Sequence, residues 1–278
     1  MGVAVPAAHP PLAEQVPATA FLTALARAGA TAEPGSGLHD PYADRFARLC
    51  PDSVRRITRH TAGTPVVAAR TLAVDRLLAD LLAAGPWDVC VNLGAGFDAR
   101  THRLDWPGPC RVVEVDCAAV LDLKDRLLPA VAAPVPVERL RCDLRDLTAL
   151  RGLLRPRTEG RRTLLLAEGL LTYLTVSEVR ALAAEAAGAA GAGGVWICDV
   201  LSTGSARTLT AAALAAGTSL PMHGLTDLGP FEAAGWRCER LELLPTARPS
   251  TRPGTTGRQL PDSVLQLGRR RPAGPPAG

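Results

Sequence analysis

Glycines and carboxylates recur at one kind of place in this chain: just after a short apolar run. Gly94-Ala95-Gly96 follows such a run in "DVCVNLGAGFDAR" (88–100), and Asp116 closes "RVVEVD" (111–116). Asp143 follows "VERLRC" (137–142), and Glu168-Gly169 follow "TLLLA" (163–167). Short apolar runs bounded by turn residues read as buried strands. Open parallel sheets bind ligands beyond the carboxyl ends of their strands. Four consecutive strand ends therefore offer glycines, where a backbone can approach a ligand, or an acid that can accept hydrogen bonds.

The spacing Gly94-x-Gly96-x-x-Ala99 fits a dinucleotide loop. The acids argue otherwise. Asp98, Asp143 and Glu168 would repel a pyrophosphate, and no Lys or Arg in the loop offsets them before Arg100. Asp116 does not discriminate, since an acid there accepts from ribose hydroxyls in nicotinamide and S-adenosylmethionine sites alike. S-adenosylmethionine carries a sulfonium, an ammonium and one carboxylate, and an acid-lined cleft suits its two cations. Asp143 stands where it could accept from an adenine amino group. Each acid also has a local use: Asp143 and Asp146 could cap the following helix, and Asp116 the helix from Cys117.

Arg70 belongs to the clearest helix, "PVVAARTLAVDRLLADLLAA" (65–84). It falls on the apolar stripe of Val66, Val67, Val74, Leu77, Leu78 and Leu81. A buried arginine is costly unless paired. The partner is either a ligand carboxylate or a protein acid such as Asp75 or Glu168, and the sequence leaves both open.

Strands are expected at 88–93, 111–116, 137–142, 163–168, 194–200, 236–243 and 262–267, with helices at 98–104, 117–128, 144–154 and 175–190 between the first five. That alternation predicts a parallel sheet with right-handed crossovers. The last two strands are joined without a helix, so one of them is expected to run antiparallel at the sheet edge. Thr175 and Glu178 have capping-box spacing, which starts a helix at 176 and leaves Tyr173 on the preceding loop. Further helix is expected at 18–28, after Asp40-Pro41 as N-cap and first helical residue, and within 201–223.

Hydrophobic residues make up 47% of the 278 residues and charged residues 21%, which predicts a packed core rather than disorder. A net charge of +4 and few aromatics argue against a nucleic-acid partner, and no run approaches a membrane span. The seven cysteines lack zinc spacing, so no metal site is expected. Cys90, Cys198 and Cys238 lie in apolar runs and read as core filler, which fits a reducing cytoplasm. The N-terminus shows no signal-peptide pattern.

Seven segments in order carry a family resemblance: "DPYADRF" (40–46), "AART" (68–71), "VNLGAGFDAR" (91–100), "EVD" (114–116), "DLK" (122–124), "CDLRD" (142–146) and "AEGLLTYL" (167–174). The chain resembles the leucine carboxyl methyltransferase family of class I S-adenosylmethionine-dependent O-methyltransferases, in its bacterial natural-product branch. The resemblance covers residues 18–180 and implies a Rossmann-like α/β fold. That fold has a seven-stranded, mostly parallel sheet, helices on both faces and an N-terminal helical lid. It implies that Arg70 binds the cofactor's carboxylate and that Gly94, Ala95 and Gly96 approach its methionine portion. Asp116 would hold the ribose, while Cys142, Asp143 and Leu144 would flank the adenine. Glu168 and Gly169 would face the ammonium side, and Tyr173 would lie near the transferred methyl as the catalytic candidate. The organisation it implies is an arm at 1–16, a helical lid at 17–64, a cofactor-binding core at 65–200, a substrate-side insertion at 201–232 and a tail at 269–278.

The expected reaction is methyl transfer to a carboxylate or hydroxyl of a small natural product or modified peptide. A carboxylate is already ionised and needs no general base; a hydroxyl would need one. Tyr173, His102, His60 and His223 are the candidates for that base, although His102 reads first as a helix surface residue. Two alternatives stand beside this reading. One is an S-adenosylmethionine-binding enzyme of the same fold that catalyses a rearrangement or cyclisation. The other is a nicotinamide dehydrogenase.

Overall fold

A computed structural model describes residues 12–58, 64–215, 217–245 and 260–269. The expected arm and tail fall mostly outside these residues, as do His60 and most of the loop before the last strand. Four helices come first: α1 (Leu12–Gln15), α2 (Ala18–Ala32), α3 (Ala43–Arg48) and α4 (Asp52–Thr58). Then follow α5 (Thr64–Ala83), β1 (Val89–Leu93), α6 (Arg100–Arg103), β2 (Arg111–Asp116), α7 (Ala118–Leu127), β3 (Val137–Arg141), α8 (Leu147–Thr158) and β4 (Thr163–Ala167). The chain continues through α9 (Val176–Ala190), β5 (Val195–Val200), α10 (Thr203–Ala215), α11 (Gly229–Glu232), β6 (Trp236–Leu243) and β7 (Ser263–Arg269).

The sheet order is β3-β2-β1-β4-β5-β7-β6. The neighbours from β3 to β5 are parallel, and β7 is antiparallel to both β5 and β6. All seven expected strands are present. One expectation fails: the antiparallel strand is not at the edge. β7 inserts between β5 and β6, and β6 takes the edge. The composition of β7 explains this, because Val264, Leu265 and Leu267 are buried whereas most of β6 is exposed. An apolar strand gains more by burial in the sheet interior than at a wet edge. Cys238 lies on β6 and is exposed, so it is not core filler, unlike buried Cys90 and Cys198.

Strand residues alternate between two apolar layers, as a period of two requires. Val89, Val91, Leu93, Val113, Leu165 and Ala167 pack with Val179, Leu182, Ala183 and Ala186 of α9 and Leu150 and Leu154 of α8. Cys90, Val112, Leu164, Leu166 and Ile197 face Ala73, Val74, Leu77, Leu78 and Leu82 of α5. Helices thus cover both faces. Expected helix 98–104 shrinks to α6, because Asp98 and the loop before it are held by other contacts described below. Helix 144–154 starts later, at Leu147, where Asp146 accepts from Ala149 N. The cap is therefore Asp146, not Asp143. Helix α3 begins at Ala43, two residues after Pro41, while Asp40 Oδ1 accepts from both Tyr42 N and Ala43 N.

The capping box of α9 is complete. Thr175 Oγ1 accepts from Glu178 N at 3.3 Å, and Thr175 N donates to Glu178 Oε2 at 2.7 Å. Thr175→Ala is expected to cost about 1 kcal/mol of unfolding free energy in urea titrations, the usual worth of such a cap. A change below about 0.2 kcal/mol would show that core packing alone fixes this helix start.

Candidate functional site

The strand order reverses between β1 and β4, so the loops after these two strands open onto one crevice. The glycine loop leaves β1 with Gly94 at φ +67°, a left-handed conformation that favours glycine. A Cβ there would also come within 3.2 Å of the Leu170 side chain, from the turn after β4. Glycine is thus needed at Gly94 both for the turn and for the approach of the neighbouring loop.

The acids behave differently from one another. Asp116 is half-buried at the end of β2, where Oδ2 accepts from Gly96 N and Oδ1 from Cys117 N, both at 2.7 Å. It pins the glycine loop, and each oxygen keeps a lone pair for a hydroxyl donor. Asp143 is exposed, with Oδ1 accepting from Arg145 N and no hydrogen bond to Oδ2 among the described residues. Cys142 is buried beside it, and Leu144 packs partly against the α8–α9 layer.

Asp98 is not a free acid in the loop. It accepts from Asn92 Nδ2 at 2.9 Å and pairs with Arg100 Nη1 at 2.9 Å. Arg100 is 3% exposed and also reaches Asp75 and Glu168, each at 2.6 Å, and Thr71 O at 3.2 Å. Its charge offsets Asp98, so repulsion of a phosphate by Asp98 carries no weight. Burial disfavours the charged form of Asp98, but Arg100 and then Lys124 outweigh it and hold the carboxyl far below its ordinary range.

Glu168 likewise enters the site paired. Oε1 accepts from Arg70 Nε at 3.1 Å and Thr71 Oγ1 at 2.9 Å, while Oε2 faces Arg100. Burial opposes its ionisation; Arg100 and Arg70 overcome this and bring its pKa to about 2. Of the two protein acids considered for Arg70, Glu168 is a partner and Asp75 is not. Asp75 pairs with Arg100 and Arg103 instead. The second partner of Arg70 is Asp199 of β5, at 3.2 Å from Nη1. Burial disfavours the Arg70 cation, but Asp199 and Glu168 prevail and raise its pKa above its ordinary range.

The N-terminal helices reach the same loop. Phe97 stacks on Phe46 of α3 with ring centroids 4.3 Å apart and meets Phe21 of α2 edge-on at 5.2 Å. Arg27 of α2 donates to Phe97 O at 2.8 Å and pairs with Asp40 at 2.9 Å. Tyr173 ends a short 3-10 turn (Leu171–Tyr173) after β4, and the Thr19 hydroxyl of α2 interacts with its phenol. Burial pushes the Tyr173 pKa up. His223 N donates to Thr172 O at 2.7 Å, which brings the segment after α10 beside that turn. His102 is half-buried on α6, with Nε2 3.2 Å from Pro129 O. Burial lowers its pKa.

Asp199 and Arg27 were missed by sequence reasoning. Asp199 sits inside an apolar strand, and Arg27 carries no motif; only the cost of burying a charge hinted that each had a partner.

These residues suit an adenosyl amino acid. Arg70 Nη2 donates to no protein group among the described residues, the Asp116 carboxylate is partly exposed, and Gly94 gives backbone access between them. Among the described residues no helix is long and apolar enough to cross a membrane, and no group of three or more His, Cys, Asp or Glu could hold a metal ion.

The profile of the leucine carboxyl methyltransferase family matches residues 20–187. A protein of Mycolicibacterium smegmatis provisionally named as an S-adenosyl-L-methionine-dependent methyltransferase is 30% identical over 281 residues, spanning 92% of this chain and 93% of its own. One from Mycolicibacterium vanbaalenii with the same provisional name is 33% identical over 185 residues, 58% of this chain and 59% of that one. In fold, a provisionally named methyltransferase from Thermobifida fusca YX aligns with a TM-score of 0.61 at 16% identity, covering 95% of this chain and 98% of that chain. Magnesium protoporphyrin IX methyltransferase from Synechocystis PCC 6803, solved with bound S-adenosylhomocysteine, aligns at 0.52 and 15% identity over 77% of this chain and 93% of that one. With a Rossmann-like sheet, a glycine loop braced by an acid and a profile match over most of the cofactor region, the chain belongs to the leucine carboxyl methyltransferase family and is an S-adenosylmethionine-dependent methyltransferase.

Proposed function

We propose that the protein methylates a carboxylate of a small natural product or modified peptide, in a reducing cytoplasm, with Tyr173 on the substrate side. Bound S-adenosylmethionine supplies a methyl on a sulfonium, which a substrate oxygen takes by in-line displacement to leave S-adenosylhomocysteine. Arg70 holds the cofactor's carboxylate, Asp116 its ribose hydroxyls and Asp143 its adenine edge. Gly94, Ala95, Gly96 and Gly169 supply close backbone, and Cys142 and Leu144 apolar contact beside the adenine. Glu168 acts through Arg70 and Arg100, fixing the wall of the cleft.

The observation that carries the carboxylate reading is the state of Tyr173. A tyrosine phenol is protonated at neutral pH, and burial pushes that of Tyr173 further from ionisation, so it can orient an acceptor oxygen by donating a hydrogen bond but is a poor base. A carboxylate acceptor needs only positioning and desolvation. The N-terminal helices and the segment after α10 flank this turn and would shape the substrate pocket.

The test is transfer of a labelled methyl group from the cofactor to a panel of acids and phenols. Expected are stoichiometric S-adenosylhomocysteine and a label released as methanol by mild base, as an ester requires. A base-stable label would assign a hydroxyl acceptor instead, and substrate turnover without S-adenosylhomocysteine would remove methyl transfer. Tyr173→Phe is expected to lower kcat about 3- to 10-fold, the worth of one hydrogen bond, with S-adenosylhomocysteine affinity unchanged by calorimetry.

A further inference from the structure

Asp199 lies within β5, and its side chain is 3% exposed. Oδ2 accepts from Arg70 Nη1 at 3.2 Å, and Oδ1 accepts from Gly169 N at 2.6 Å. One carboxylate therefore ties α5 to the turn after β4. Burial pushes its carboxyl up, and Arg70 and the Gly169 N–H offset this only in part. A core chosen for stability alone would not place an acid there.

What Asp199 does to Arg70 is geometric. The guanidinium is a rigid planar fork. Its Nε is held by Glu168 and its Nη1 by Asp199, so both the plane and the direction of Nη2 are fixed. Nη2 donates to no protein group among the described residues. It lies over Gly169, where an added Cβ would sit 3.0 Å from it, with the backbone at φ +68°. The absence of a side chain at Gly169 keeps that donor clear.

We infer that Asp199 is a positioning residue for the cofactor's carboxylate: by holding Arg70 Nη1 and Gly169 N, it presents Arg70 Nη2 as the donor for that group. This rests on the reading that Arg70 binds the carboxylate. The experiment measures, by calorimetry, S-adenosylhomocysteine and 5′-methylthioadenosine, which shares the adenosine and thioether but lacks the amino-acid end. Asp199→Asn is expected to weaken S-adenosylhomocysteine about tenfold and leave methylthioadenosine unchanged. The double variant with Arg70→Ala is expected to bind S-adenosylhomocysteine no more weakly than Arg70→Ala alone.

Wild-type affinity in Asp199→Asn, with Arg70→Ala weakened, would overturn the role of Asp199 alone. No effect of Arg70→Ala would instead overturn the reading beneath it. Equal loss of both ligands in Asp199→Asn would make Asp199 a purely structural acid. If Asp199→Asn does not fold by circular dichroism, Gly169→Ala displaces the same guanidinium from its other side. The same selective loss is then expected, and an unselective one counts against the inference.

Discussion

Arg100→Leu is expected to lower the unfolding free energy by about 3–5 kcal/mol, the usual cost of removing one partner from a buried ionic cluster. Total stability of a domain is on the order of 5–15 kcal/mol, so this is a large share. The arginine holds Asp75 of α5, Asp98 of the glycine loop and Glu168 of the turn after β4. Asp75 would keep Arg103 and Glu168 would keep Arg70, but among the described residues the hydrogen-bond donors left to Asp98 would be Asn92 Nδ2 and the backbone N–H of position 100, with Lys124 and Arg103 as more distant charges. Arg100→Lys keeps the charge but not the fork, so it should fall between the two in urea titrations. A loss under about 1 kcal/mol for Arg100→Leu would mean that the carboxylates find water or protons without cost.

The same cluster sets the acid limb of stability. Glu168 has a folded pKa depressed from an ordinary 4.5 to about 2, and Asp98 is depressed as well. A depressed carboxyl contributes stability that is present above its unfolded pKa and is lost as pH falls through its folded pKa. Wild-type stability should therefore fall between about pH 4.5 and pH 2. Arg100→Leu removes the largest force lowering both carboxyls, so its acid unfolding should move toward neutral pH. An unmoved acid limb, followed by tryptophan fluorescence, would contradict this.

Arg70→Ala is the second large effect, and its readout is binding. A charge-assisted bond to the cofactor's carboxylate is worth about 2 kcal/mol, or about 30-fold in S-adenosylhomocysteine affinity. Ligand present at 100 times the wild-type dissociation constant stabilises the wild-type protein by about 2.7 kcal/mol. At the same concentration the variant should gain under about 1 kcal/mol, which appears as a smaller rise in Tm. Each protein is compared with and without ligand, so the cost of leaving Glu168 and Asp199 without Arg70 drops out of the comparison. Equal ligand-induced shifts in the two proteins would show that Arg70 serves the fold alone.

Much of this architecture is a local property of the chain. β1, β2 and β4 are largely apolar runs closed by a glycine or an acid, because a strand buried on both faces needs apolar side chains and a turn to leave the sheet. The start of α9 is written in Thr175 and Glu178, which satisfy each other's backbone within one turn. Gly94, Asp116 and Asp143 stand at strand ends because chain order and strand length put them there. Pairing between distant charges is different. Nothing near Asp98 in sequence, apart from Arg100 two residues on, shows that its charge is cancelled, nor that Arg100 also gathers Asp75 and Glu168. Asp199 occupies an apolar strand, and only the neighbouring β4 turn and α5 reveal its partners. β7 moved inside β6 because burial of a whole strand face is decided by the sheet, not by the loop that joins them. Hydrophobic period and capping act over a few residues, so the elements and the glycines and acids at their ends are legible in the chain. Which carboxylates stay open to a ligand and which are consumed by arginines is set by the packed fold, because ion pairing in a buried cluster depends on distances between segments far apart in the chain.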